Sequence, residues 1–528
     1  MQNIARPIVD PPRNCWAVAR ARRAGLLVDA SDYYVAFYQA ALEARRYILL
    51  SGWQFDSGVE LLRGDDTGLA KRAGAPTTLL PFLNHLCETR PELEIDILAW
   101  DFHVVFALER EWMQKVLFHW KTHKRLRFHF DSTPPDGGCH HQKFVVVDGH
   151  TAFLGGIDLC EARWDDRSHS AENPRRLSRG KPQKPYHDVQ AYLLGVEAVA
   201  PLTSLFCERW RCAGGDPRSL GAPSATMTER YEPRGALTLP PGEVAFSQTD
   251  PEDEERGPVR HIAELFGDAI EAAERLIYLE TQYFSSREIR DRLERRMREA
   301  SRGRLQVVII VNARAEAAKE QIAVGLRQAE NLTRLRQVAK ETGHAFGCYY
   351  SVCAPKHETA REEAEPTYIH TKLLLVDDRV LSVGSANLTN RSMGLDTELQ
   401  VTWDAGRHEA PQELIEAIRA VRVSLLAEHA GLSADVAPTL NGLDGLVDRL
   451  NVIAERSGSR LRFHPSPTPD EVKALALVDP QQLPFDPAGP DGSAADELTE
   501  DKELFRAGLG EIWSFLTGPR ASAAGKDG

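Results

Sequence analysis

One motif occurs twice in this chain of 528 residues, and it constrains the fold more than any other feature. His141-Gln-Lys143-Phe-Val-Val-Val-Asp148 is followed by Gly155-Gly156-Ile-Asp158. His370-Thr-Lys372-Leu-Leu-Leu-Val-Asp377 is followed by Gly384-Ser385-Ala-Asn387. Each of these positions is offset from its counterpart by 229 residues. A shared offset over so many positions marks a duplicated unit.

The flanks repeat as well. Residues 46–55 and 276–284 read as buried strands that end in aromatic and polar residues, including Trp53, Glu280 and Gln282. Helical patterns precede both, at 32–44 and 259–275, and further strands are expected at 93–99 and 305–311, then at 125–130 and 347–352. Alternation of helix and strand in each half gives an α/β fold class. Within the motifs, 144–147 and 373–376 are runs of four apolar residues, which suit strands buried on both faces. On an extended chain, positions i and i+2 share a face, so His141 and Lys143 face one way together, as do His370 and Lys372.

The expected organisation is a first domain at 1–213, a linker rich in Pro and Gly at 214–256, a second domain at 257–434 and a partly irregular extension at 435–528. The first half carries a polar, basic insert at 165–185 that reads as a loop before strand character resumes at 186–189. In the extension, 440–457 suits a helix, 465–496 is Pro-rich, 497–516 suits a closing helix and 517–528 reads as a disordered tail.

Composition narrows the function. Asp and Glu number 77 against 64 Lys and Arg, a net charge of −13, which disfavours broad adhesion to nucleic acid or anionic membrane but leaves room for one basic pocket. Eight cysteines without a CxxC pair fit neither a zinc ribbon nor a dense disulfide framework and read as reduced, mostly buried thiols. The first thirty residues carry scattered charge and no apolar core of a signal peptide, and no run of about 18 apolar residues occurs. The expected location is therefore cytoplasmic or peripheral to a membrane, with no transmembrane segment. Export without an N-terminal signal stays open.

Two HxKxxxxD motifs, each followed by GG or GS, resemble the phospholipase D superfamily over roughly residues 34–403. The segments His140 to Cys160 and Ile277 to Phe284 are similar to eukaryotic-type and related bacterial phospholipases D. The resemblance implies two pseudo-symmetric α/β/α domains with mixed sheets packed face to face and one active site at their interface. It implies a phosphodiesterase that hydrolyses phospholipids, or transfers their phosphatidyl group, through a phosphohistidine intermediate.

Under that resemblance His141 is the nucleophile and His370 the general acid, with the reverse assignment open. Lys143 and Lys372 bind the phosphate oxygens, assisted by Ser385, Asn387 and the backbone at Gly156. Acidic partners for the histidines are expected at Glu398, in the half of His370, and at Asp188, in the half of His141. Asp148 and Asp377 are expected in structural salt bridges, and Asp158 in a structural or lysine-pairing role. Trp53, Glu280 and Gln282 are candidates for lining the cleft, and His140 and His187 for support. Two imidazoles and two ammonium groups supply the charge that the chemistry needs, so no metal, no calcium and no cofactor is called for. The expected partner is a phospholipid met at a membrane surface; nucleic acid is disfavoured and the oligomeric state is open. A cardiolipin synthase-like transferase, a nuclease of the same superfamily and a non-catalytic phosphate-binding scaffold remain alternatives.

Overall fold

The computed structural model describes residues 6–101, 122–134, 137–216, 220, 223, 231–251, 257–314, 324–354, 364–467 and 486. Two mixed sheets organise them. The first runs β12 (Leu237–Leu239), β2 (Arg23–Val28), β11 (Val189–Leu194), β7 (Thr151–Gly155), β6 (Phe144–Val147), β3 (Tyr47–Gly52), β4 (Glu94–Trp100), β5 (Leu126–Asp131). The second runs β1 (Ala17–Ala21), β13 (Gly242–Asp250), β21 (Glu398–Asp404), β20 (Val380–Gly384), β19 (Leu373–Val376), β15 (Leu276–Thr281), β16 (Gln306–Val311), β17 (Ala345–Ser351), β22 (Leu461–Phe463). A short β14 (Val259–Arg260) joins the second sheet beside β13.

The sheets repeat each other strand for strand from the motif outwards. Each motif strand, β6 or β19, lies antiparallel to β3 or β15, whose other neighbour, β4 or β16, is parallel. The motif strands coincide with the apolar runs at 144–147 and 373–376 and are fully buried.

Layering follows from alternation. Ile48 and Leu50 of β3 face an outer core with the helices Asp29–Glu43 and Leu79–Thr89, whereas Tyr47 and Leu49 face inwards. In the second half, Ile277 and Leu279 pack outwards against the helices His261–Ala272, Arg287–Arg298 and Leu326–Thr342. The inner faces of both sheets share one core with the helices Val196–Cys212 and Pro411–Ala430. That last helix opens on a proline, whose missing N–H costs nothing there, and closes on Gly431 in the left-handed region.

Several details depart from the sequence reading. Residues 214–256 are more than a connection, because they supply β12 to the first sheet and β13 to the second. The N-terminal strand β1 crosses over to pair with β13 rather than with its own half. Past residue 434, the helix Leu446–Glu455 falls inside the expected 440–457, and β22 closes the far edge of the second sheet. The basic insert contains a two-stranded turn, β8 (Leu177–Ser178) with β9 (Lys181–Pro182). The expected closing helix at 497–516, the tail at 517–528 and most of 465–496 lie outside the described residues. The eight cysteines form no disulfide among the described residues; Cys207 and Cys212 are exposed and the others buried. No helix among the described residues is long and apolar enough to cross a membrane.

Candidate active site

The two motifs meet because the chain stitches the entrance of each to the opposite half. His141 N–H donates to Thr397 O at 3.0 Å, and Thr397 N–H donates to Cys139 O at 2.9 Å. On the other side β10 (Tyr186–His187) runs parallel to β18 (Tyr368–Ile369), and His370 N–H donates to His187 O at 2.8 Å. Each histidine is thereby set beside the acidic residue of the other half.

The side chains complete the exchange. His141 Nδ1 lies 3.0 and 3.1 Å from the two oxygens of Glu398. His370 Nδ1 lies 2.6 Å from Asp188 Oδ2. Glu398 and Asp188 are the expected acidic partners, but each serves the histidine of the other half, not its own. A carboxylate on Nδ1 fixes the tautomer and leaves Nε2 for chemistry.

The lysines lie beneath. Lys143 Nζ donates to His141 O at 3.0 Å and lies 3.4 Å from Asp158 Oδ2, the lysine pairing expected of Asp158. Lys372 Nζ donates to His370 O and, at 3.3 Å, to Gln282 Oε1. Burial pushes Lys372 down to about 7, against the opposing pull of Asp188. Burial also pushes the Asp188 carboxyl up to about 7, with Lys372 opposing. His370 is pushed well below its usual value by burial first and then by Lys372, Arg163 and Lys143. This concentration of positive charge around a neutral ring is suited to an anion.

Three assignments need correction. Ser385 is not free to meet a phosphate: its hydroxyl donates to Glu398 Oε2 and accepts from Leu399 N–H at 3.0 Å. Gly156 N–H points to Val189 O at 3.4 Å, and the glycine is needed for a different reason. A Cβ there would stand 2.3 Å from Asp188 Oδ1, so only glycine lets Asp188 reach His370. Glu280 lies away from the cleft, buried against Tyr278 Oη, His187 and His429.

Asp148 accepts the backbone N–H groups of Arg45, Arg46 and Tyr47 at 2.8, 2.8 and 3.0 Å. Asp377 accepts those of Glu274, Arg275 and Leu276 at 2.7, 2.8 and 2.7 Å. Both hold the start of a neighbouring strand, away from the histidines. Of the remaining candidates, Gln282 and Asn387 lie near Lys372, joined to each other at 3.4 Å. Trp53 stacks on Trp100 with ring centroids 6.0 Å apart, and its N–H donates to Asp158. His140 is tied to Asp131, Thr133 and Thr397, a supporting role.

The structure adds residues that sequence reasoning passed over. Arg163 presses electrostatically on both His370 and Lys372 and lies over Tyr186. Tyr186 and Tyr368 pack beside the His370 ring at 5.4 and 6.3 Å between centroids. Lys184 of the basic insert sits 3.7 Å from the centre of Tyr368. Arg163 stands alone in sequence, without a repeat partner or periodic pattern to mark it.

Residues 267–420 match a family model described as "Cardiolipin synthase, PLD-like domain". That match takes in the second motif, and over most of its length the chain is similar to phospholipase D proteins. It is 24% identical over 505 residues to phospholipase D alpha 4 of Arabidopsis thaliana, covering 76% of this chain and 64% of that protein. It is 24% identical over 564 residues to phospholipase D alpha 1 of Zea mays, covering 81% of this chain and 68% of that one. The chain thus spans about two thirds of the length of these curated relatives. A solved phosphatidylserine synthase of Haemophilus influenzae Rd KW20 aligns at 13% identity and a TM-score of 0.48, covering 83% of this chain and 94% of that one.

Proposed function

We propose that this protein is a phospholipase D-type phosphodiesterase that cleaves the headgroup ester of a phospholipid through a phosphohistidine. The observation that carries the reading is the exchanged pairing, His141 with Glu398 and His370 with Asp188. It leaves two Nε2 atoms of fixed tautomer in a site rich in cations.

His141 Nε2 attacks phosphorus, forming an N–P bond, while the departing headgroup oxygen takes a proton from His370 Nε2. Water or an alcohol then loses its proton to His370, attacks phosphorus and displaces His141. Lys143, Lys372 and Arg163 hold the non-bridging oxygens, where charge accumulates. An arriving phosphodiester supplies the negative charge that Lys372, Arg163 and Lys143 otherwise lack. It thereby raises the proton affinity of His370, as the general acid requires.

One observation favours a second assignment. Before substrate binds, burial and then the neighbouring cations favour the neutral form of His370, which is the form a nucleophile needs. Mapping the phosphorylated peptide under alkaline conditions, in which phosphohistidine survives, separates the two. Label on the peptide containing His141 supports the first assignment, and label on that of His370 reverses the roles.

Lipid is preferred to nucleic acid because the chain carries net negative charge. Contact with a membrane surface is then transient. The deciding assay offers mixed phospholipid vesicles with a primary alcohol in one reaction and single-stranded DNA in another, using wild type and His370→Ala. Phosphatidic acid or phosphatidyl-alcohol from wild type alone is the expected result, and their ratio tells hydrolysis from transfer. Cleavage of DNA with intact lipid would move the protein to the nuclease branch.

A further inference from the structure

A second cluster of ligand-type side chains lies outside the phosphate site, and no step of the proposed chemistry uses it. Asp29, His169, His187 and Glu428 come from four separate segments: the start of the helix Asp29–Glu43, the basic insert, β10 and the helix Pro411–Ala430. Each is buried, and one donor atom from each lies within 4.8 Å of the others.

We propose that Asp29, His169, His187 and Glu428 bind a single divalent transition-metal cation, Zn2+ by preference, as a structural site. The distances fit. Glu428 Oε1 is 3.0 Å from His169 Nε2 and 2.8 Å from His187 Nδ1. Asp29 Oδ2 is 3.5 Å from His169 Nε2, and Asp29 Oδ1 is 3.5 Å from His187 Nδ1. Four ligands held about 2.0–2.1 Å from a tetrahedral Zn2+ stand roughly 3.3 Å apart.

The surroundings match as well. His169 Nδ1 lies 3.0 Å from Asp165 Oδ2, and His187 Nε2 lies 3.2 Å from Glu280 Oε2. Each ring therefore gives its outer N–H to a carboxylate and turns its other nitrogen to the common point, the arrangement that orients metal-bound imidazoles. Glu428 Oε2 is held by Arg167, and Asp29 Oδ1 accepts Asp188 N–H at 3.2 Å. The supporting carboxylates are themselves anchored: Asp165 by Arg176, and Glu280 by Tyr278 and His429.

Hydrogen bonds alone serve these groups poorly. Both imidazoles aim at the same oxygen of Glu428, and Asp29 Oδ2, on a residue 1% exposed, has no hydrogen-bond partner. A purely protonic cluster requires two imidazolium rings with centroids 5.6 Å apart in the interior. One dication facing two neutral rings satisfies all four donors. Two imidazoles with two carboxylates suit Zn2+ better than calcium or magnesium, which take oxygen ligands.

Its consequence reaches the phosphate site through one peptide bond. His187 precedes Asp188, which holds His370 at 2.6 Å, so the cation acts as a positioning element for that pair. The proposal does not depend on which phosphodiester is cleaved.

The experiment is elemental analysis of the full-length chain, purified without affinity metals and dialysed against a weak chelator. About one Zn2+ per chain is expected in wild type, falling to background in His169→Gln. Co2+ loaded in place of Zn2+ should give the visible bands of a tetrahedral site, and added Zn2+ should raise the Tm of the stripped protein. If His169→Gln fails to fold, the Co2+ spectrum of wild type carries the test. Wild type without stoichiometric metal and without a Tm response to Zn2+ overturns the proposal. So does a folded His169→Gln protein that keeps its metal.

Discussion

Replacing Glu398 by Gln tests the exchanged pairing most directly. Both oxygens of Glu398 lie 3.0–3.1 Å from His141 Nδ1, and the residue is fully buried, so no water is available to substitute. Oε2 also receives the hydroxyl proton of Ser385. In Glu398→Gln the amide oxygen keeps the Ser385 hydroxyl and the NH2 turns to Nδ1. Nδ1 must then accept, the ring proton moves to Nε2, and the attacking lone pair is lost. Comparable tautomer inversion in a serine protease triad costs about 10⁴-fold, or roughly 5 kcal/mol of barrier. We expect kcat for vesicle-borne phospholipid to fall about 10³- to 10⁴-fold, with Tm within about 3 °C of wild type because the side chain keeps its volume. The assay follows phosphatidyl-alcohol and the trapped phosphoenzyme together. Loss of less than about tenfold, with phosphoenzyme forming at the wild-type rate, would refute the claim that Glu398 sets the tautomer of His141.

Three further outcomes follow from the geometry. Gly156→Ala places a methyl 2.3 Å from Asp188 Oδ1, so Asp188 must leave His370; activity should fall about 100-fold or more with the fold retained by circular dichroism. As pH rises through about 7, Asp188 gains its charge and Lys372 loses its own, so kcat/KM should peak near pH 7 and fall on both sides, by about tenfold per unit on the alkaline side; a flat kcat/KM from about pH 5 to about pH 9 would contradict this. Asp148→Ala removes the acceptor of three backbone N–H groups far from the histidines and should cost about 2–4 kcal/mol in urea unfolding, a cost that Asp148→Asn only partly recovers.

What the sequence made legible was local or repeated. The motif strands at 144–147 and 373–376 were placed to the residue because four apolar positions between polar ends leave little freedom. The histidines and lysines of the site stood out because duplication set them apart from chance, whereas Asp188 and Glu398 were named through the family resemblance alone. Partnership was not legible. His141 and Glu398 are 257 residues apart and His370 and Asp188 are 182 apart, and nothing local says that the pairs cross between the halves. The phosphate-facing role expected of Ser385 failed for a local reason, since Glu398, 13 residues on at the start of β21, takes its hydroxyl. Strand β13 was hidden among Pro and Gly residues that read as connection, although its partner strands β1 and β21 lie far away in sequence. The buried Asp29, His169, His187 and Glu428 cluster has no spacing signature at all, because its members come from four separate segments.

The exchange of β1 and β12 between the two sheets bears on how the chain is made. Synthesis delivers β1 well before its one partner among the described strands, β13, about 220 residues later. The first sheet likewise waits for β12 at Leu237–Leu239, well after its own motif has left the ribosome. During that interval the nascent first half carries an unclaimed strand at its start and a bare edge at β2. Both invite pairing with a neighbouring nascent chain of the same sequence. Slowing translation near residue 240 should therefore lower the yield of monomeric product more than slowing it near residue 430.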